Sequence, residues 1–202
     1  MVAWAIMSRR FLLQDLLNTL AAVTRTWRQT VAHNKAQGVL LVGRRTNVHY
    51  RGQILASDTE VQTLAASHGK LFQADAEDYF FYSRGVQNLS SIPDFVVGRR
   101  AYDNWLVDHA FHNANIVLID ASRTILALHL TTGDGNKAGH HKGVDNNWNV
   151  NVLNPATQKK VHRGEWDHGT TNHCPFFTLK HGADVAIRRR FQKGPITNSA
   201  AS

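Results

Sequence analysis

The chain has 202 residues, 43% of them apolar, and a formal net charge of +8, which suits one globular domain and excludes a disordered chain. No run approaches the roughly 20 uncharged apolar residues that a membrane-spanning helix needs. The opening MVAWAIMSRR is apolar first and basic after, the reverse of a secretory signal, so the default expectation is cytoplasmic. Cys174 is the single cysteine, which excludes an intrachain disulfide and zinc sites built on several thiolates. The positive charge is dispersed: its tightest groups are Arg44-Arg45, Arg99-Arg100, Lys159-Lys160 and Arg188 to Arg190. Without a longer basic tract or an aromatic ladder, nucleic acid is not an expected partner.

In chain order, Phe11, Leu12, Leu16, Leu20, Val23, Trp27 and Val31 recur at helical spacing and predict an amphipathic helix. GVLLVGRRTNV, from Gly38, reads as a buried strand whose end carries Arg44 and Arg45. Ser57 followed by Glu60 is the capping-box pattern of a second helix, with Gly69 as its stop. AEDYFFYSRGV predicts an aromatic strand ended at Gly85, and IPDFVVG a short extended piece with Pro93 at its edge. RAYDNWLVDHAFHNA reads as a helix, NIVLIDA as a buried strand and TILALHL as a further apolar segment. Alternating strands and helices predict an α/β layered fold. After Leu130 the chain is rich in Gly, Asn and His and lacks a helical period, which predicts a long irregular region, with VAIRRRF as a last strand.

Histidine is in excess, with 12 residues. A metal reading gathers His129, His140, His141, His168 and His173, with Asp134 or Asp167, but the set lacks a compact helical zinc spacing. His129 sits in the otherwise apolar ILALHL, either as a satisfied core residue or, at the strand's end, reaching a metal or phosphate. Glu77-Asp78 read most simply as solvated carboxylates ahead of a strand. Asp103-Asn104 open a helix, where Asp103 serves equally well as a cap or as a general base beside an α/β sheet edge. The two arginine pairs Arg44-Arg45 and Arg99-Arg100 suit internal salt bridges or contacts to a pyrophosphate.

Taken together, GVLLVGRRTNV, AEDYFFYSRGV, IPDFVVGRRAYDNWLVDHA, NIVLIDAS and TILALHL follow the order found in glycosyltransferase-like proteins of the GT-A, nucleotide-diphospho-sugar transferase superfamily. Residues 11–140 resemble that group. The most specific stretch is IPDFVVGRRAYDNWLV, similar to its Ile-Pro-x-Phe-x-x-Gly-Arg-x-x-x-Asp-Asn-Trp-Leu pattern. The resemblance implies a Rossmann-like mixed sheet flanked by helices, a nucleotide-sugar donor, and a divalent metal, Mn²⁺ or Mg²⁺. It places Asp103 as the base that takes the acceptor's proton and Asn104 where a second acid would stand. It puts His129 at the metal, and makes Arg44, Arg45, Arg99, Arg100 and Trp105 candidates for substrate binding.

The chain departs from the pattern in two ways: only 37 residues precede Gly38, and no Asp-x-Asp triplet occurs. The expectation is therefore the acceptor-side half of a GT-A fold over residues 11–140, lacking most of the donor site. Residues 141–202 are expected as an irregular extension packed on the same domain. The expected function is nucleotide-sugar-dependent glycosyl transfer to a carbohydrate or protein acceptor, in an active enzyme or a truncated relative. The competing readings are a non-catalytic remnant and a basic module that binds nucleic acid or another polyanion.

Overall fold

The computed structural model describes residues 2–5, 10–11, 13–34, 36–50, 57–83, 92–131, 147–153, 169–182 and 184–190. The chain begins with strands β1 (Val2–Ala5) and β2 (Arg10–Phe11), helix α1 (Leu13–Asn34), and strands β3 (Gly38–Gly43) and β4 (Thr46–His49). Helix α2 (Asp58–His68), strands β5 (Lys70–Leu71) and β6 (Tyr79–Tyr82), and helix α3 (Tyr102–His112) follow. The remainder is β7 (Ile116–Asp120), β8 (Ala127–Thr131), a short helix α4 (Trp148–Val152), and strands β9 (Phe176–His181) and β10 (Asp184–Arg189). This is an α/β fold with mixed sheets flanked by helices.

Six strands form the main sheet in the order β1-β6-β3-β7-β9-β10. β3 runs parallel to β7, with Val42 opposite Asp120, and antiparallel to β6, with Gly43 opposite Tyr79. The central strands are GVLLVG and IVLID, buried at every position, as strands covered on both faces must be. Their side chains alternate between two cores. Leu40, Val42, Phe80 and Leu118 face Trp105, Leu106 and Ala110 of α3. Val39, Leu41, Phe81, Val117 and Ile119 face Val23, Leu16 and Leu20 of α1. The sheet is thus the middle layer of three.

A second sheet, β2-β8-β4-β5, packs through Val48 and Leu128 against Val61 of α2. Ser57 caps α2 as expected: its side chain accepts from the Glu60 N–H, and the Glu60 carboxylate accepts from the Ser57 N–H at 3.0 Å. Gly69 ends the helix in extended rather than left-handed backbone.

Several segments differ from expectation. GVLLVGRRTNV is two strands, because the chain crosses at Arg44-Arg45 from one sheet to the other. IPDFVVG contains no strand. Residues 92–100 are bends and turns with Val96 and Val97 about half exposed, since no neighbouring strand offers its edge there. α4 and β9 lie in the region read as irregular. β9 shows no clean inside-outside alternation, and it is fixed by its hairpin with β10 and a short parallel contact with β7. Gly85 and residues 132–146 lie outside the described residues.

Gly43 permits the close β3–β6 crossing, because a side-chain carbon there would overlap the ring of its register partner Tyr79. Tyr79 is fully buried and its hydroxyl donates to the Ile125 carbonyl, so the ring cannot swing away. Gly43→Ala is expected to destabilise the fold by about 1–3 kcal/mol, seen as a lower urea midpoint with an unchanged m-value.

Candidate functional site

Parallel strands of an open α/β sheet leave a crevice beyond their carboxyl ends, where ligands of such folds bind. Here β3 ends at Gly43 and β7 at Asp120. β6 is antiparallel to β3, so the residues just ahead of it, Glu77 and Asp78, reach the same edge, and the Asp78 N–H donates to the Gly43 carbonyl at 2.9 Å. α3 packs on the sheet in the connection leading into β7, and its first turn reaches this edge too. Asn104 in that turn bonds to the Glu77 segment.

The turn before α3 is sharply bent. Gly98 has φ 81° and Ala101 φ 73°, the one non-glycine residue with positive φ among the described residues. A left-handed alanine costs about 1–2 kcal/mol. It is held because the Ala101 methyl is buried with Trp105 and Phe80 in the core beneath α3.

Asp103 follows in the first turn, half-buried. Ala101 has no side chain to cap the helix, and the backbone N–H groups nearest the Asp103 carboxylate are those of Asn104, Asp103 itself and Glu77. Their dipoles favour the ionised form, but burial outweighs them and the Asp78 charge adds to it, so the carboxyl is pushed up to about 6. Glu77 is more deeply buried, 6% exposed. Burial first and the Asp103 charge second hold its proton well above the usual carboxylate range. No ion pair among the described residues engages either acid.

The two other acids of this edge are neutralised within the fold. Asp78 takes 2.8 Å and 3.2 Å bonds from Nη1 and the backbone N–H of Arg45. Even so, burial leaves its carboxyl above the usual range, with Arg45 and then His129 pulling it down. Asp120 accepts from Arg190 at 3.1 Å, and the same guanidinium holds the Thr171 carbonyl at 2.9 Å.

The candidates from the sequence therefore separate. Asp103, Arg45 and His129 are drawn into one electrostatic neighbourhood through Asp78. Arg45 is largely committed to the fold: besides Asp78 it bonds Asn47 at 2.8 Å and stacks over Phe72. Arg44 donates to the Phe72 carbonyl. Arg99 and Arg100 stand half-buried in the bent turn ahead of α3. Two candidates need correction. Trp105 is fully buried, with Phe95 edge-on at 5.5 Å and His109 stacked at 4.7 Å, so it packs the core and cannot reach a substrate. Asn104 is also buried, and its amide donates to the carbonyls of Asp75 and Gly169 at 2.9 and 2.8 Å and faces Glu77 Oε2 at 3.5 Å. It anchors the helix and has no acid role.

Of the histidine set, His129 and His173 are described; His140, His141, His168, Asp134 and Asp167 lie outside the described residues. His173 is exposed and bonds Thr170. Among the described residues no three His, Cys, Asp or Glu side chains converge to hold a metal ion. Glu77 is buried and not the solvated carboxylate that its place ahead of a strand predicts. Its one signal is that Glu77-Asp78 abuts the buried YFFY with no turn residue between.

Compared with known proteins, the chain matches no family model, no curated protein and no solved structure.

Because the folded chain binds the Asp103 proton more tightly than the unfolded chain, its contribution to stability is complete below about pH 4 and lost as pH rises to about 6. The loss is about 2–3 kcal/mol. Asp103→Asn is expected to remove that part of the slope and to match or exceed the wild type in stability at pH 8. Urea midpoints of both proteins at pH 4, 6 and 8 check this.

Proposed function

We propose that the chain is a nucleotide-sugar-dependent glycosyltransferase in which Asp103 is the base for the acceptor hydroxyl. The observation that carries this reading is a half-buried carboxylate at the carboxyl edge of β3 and β7 that titrates at about 6. A base is most effective when its pKa lies near the working pH, and few environments raise an aspartate that far. The strained Ala101 just ahead of it adds support, since such backbone persists mainly where the surroundings over-determine it, often at functional sites.

In the reaction the acceptor hydroxyl gives its proton to Asp103 as its oxygen forms a bond to the sugar's anomeric carbon. The bond from that carbon to the donor phosphate breaks, and the nucleotide diphosphate leaves with the electron pair. Among the candidate cations, Arg99 and Arg100 are the nearest in the chain to Asp103 and supply positive charge for a leaving diphosphate. The described residues do not form a set that fits a divalent ion, and no step is assigned to one.

Calorimetry with UDP- and GDP-sugars, with and without Mn²⁺, and an assay for released nucleotide in the presence of sugar acceptors test this. The expected result is saturable binding of one donor class and transfer that falls about 10²–10⁴-fold in Asp103→Asn with donor affinity little changed. A folded chain that binds no sugar nucleotide overturns the proposal. Binding without transfer favours a non-catalytic remnant. Steeply salt-dependent binding to DNA or RNA favours the polyanion module.

A further inference from the structure

Of the acids at the edge, Glu77 is the one that neither the proposed reaction uses nor an ion pair among the described residues engages. Its side chain is 6% exposed. Oε2 faces the Asn104 amide at 3.5 Å, while Oε1 is buried and has no hydrogen-bond partner among the described residues. A buried carboxylate oxygen left without a donor is costly; an O–H that can turn towards a neighbouring acceptor is far less so. Asp103 from α3 and Asp75 from its own segment reinforce this, while the backbone N–H groups of Glu77 and Thr171 act the other way and are outweighed by burial. The Cys174 thiol faces Glu77 from the turn ahead of β9. Adjacent Asp78 is already matched by Arg45. No cation is among these neighbours.

We propose that Glu77 holds the second proton of a two-carboxyl pair with Asp103, so that the edge presents a single negative charge, on Asp103, when the base acts. Glu77 is thus a positioning residue. It keeps a second anion from forming beside the base, and the Asn104 amide, already shared with two carbonyls, holds it in place without having to neutralise a charge. The inference rests on the reading of Asp103 as the base, but the state of the pair is measurable without any substrate.

Carboxyl ¹³C resonances of the full chain, followed from pH 4 to 9 in wild type, Glu77→Gln and Asp103→Asn, test it. Two successive titrations are expected, Asp103 near 6 and Glu77 clearly later. In Glu77→Gln a neutral amide replaces a neutral acid, so the Asp103 midpoint is expected to stay within about half a pH unit, whereas the Glu77 midpoint falls in Asp103→Asn. Ionisation of Glu77 before Asp103 in the wild type overturns the proposal. So does a drop of more than about one unit in the Asp103 midpoint of Glu77→Gln, which would mean a charged Glu77 had been raising it. If Glu77→Gln does not fold, the wild type and Asp103→Asn titrations decide alone. A failed sugar-transfer assay leaves this titration unaffected, and a failed titration leaves the transfer assay unaffected.

Discussion

The position of the whole candidate site depends on where α3 begins, and that depends on the side chain of Asn104. Its amide donates to carbonyls on two segments far apart in sequence, Asp75 and Gly169, and faces the buried Glu77. Gly169 lies so near the Asn104 backbone that a side-chain carbon there would overlap the Asn104 carbonyl. The helix start, the approach to β6 and the turn ahead of β9 are therefore locked as one unit. Inside a protein such bonds are strong because no water competes, and leaving them unmade is expensive. This lock fixes Asp103, one residue earlier, at the sheet edge.

The lock works because the layer beneath it is rigid. β3 and β7 bury both faces, so a shift of either strand by one residue would exchange its two sets of side chains between the α1 core and the α3 core. Trp105 anchors α3 into this layer, and Ala101 pays for its left-handed backbone with a methyl in the same cluster. A carboxylate on such a frame has little freedom to relax towards water. That is why burial, rather than the nearby charge of Asp78, is the leading cause of its raised titration point.

How far this was legible in the sequence follows from the kind of signal each part carries. GVLLVG, NIVLIDA and the Ser57–Glu60 box announce themselves because two-sided burial and helix capping each demand particular residues in sequence. Asp103 is half legible: cap and base both place an acid at a helix start, and the burial that raises its titration point is set by topology. Asn104, Trp105 and Glu77 were misread because their roles depend on partners brought close by topology. Trp105 is a core residue through its stacking on His109 and its edge-on contact with Phe95. Glu77 is buried because α3 and the turn ahead of β9 cover it. β9 was missed for the same reason, its place being set by hairpin and sheet contacts and not by its own alternation.

The electrostatics of the edge also explain how a basic protein carries an acidic site. The net charge of +8 is an average over a surface, whereas the edge gathers Glu77, Asp78, Asp103 and Asp120 within a few strands' width. Two of these are consumed by Arg45 and Arg190, whose guanidinium groups also bind Asn47 and the Thr171 carbonyl. Those arginines serve the fold first, since removing either would strand a buried carboxylate. Glu77 and Asp103 lack such partners among the described residues, and with Glu77 buried and the Asp103 charge acting on it, both cannot ionise cheaply. The arrangement thus sets its cations against the two structural acids and leaves the other pair to limit its charge through the proton that Glu77 retains.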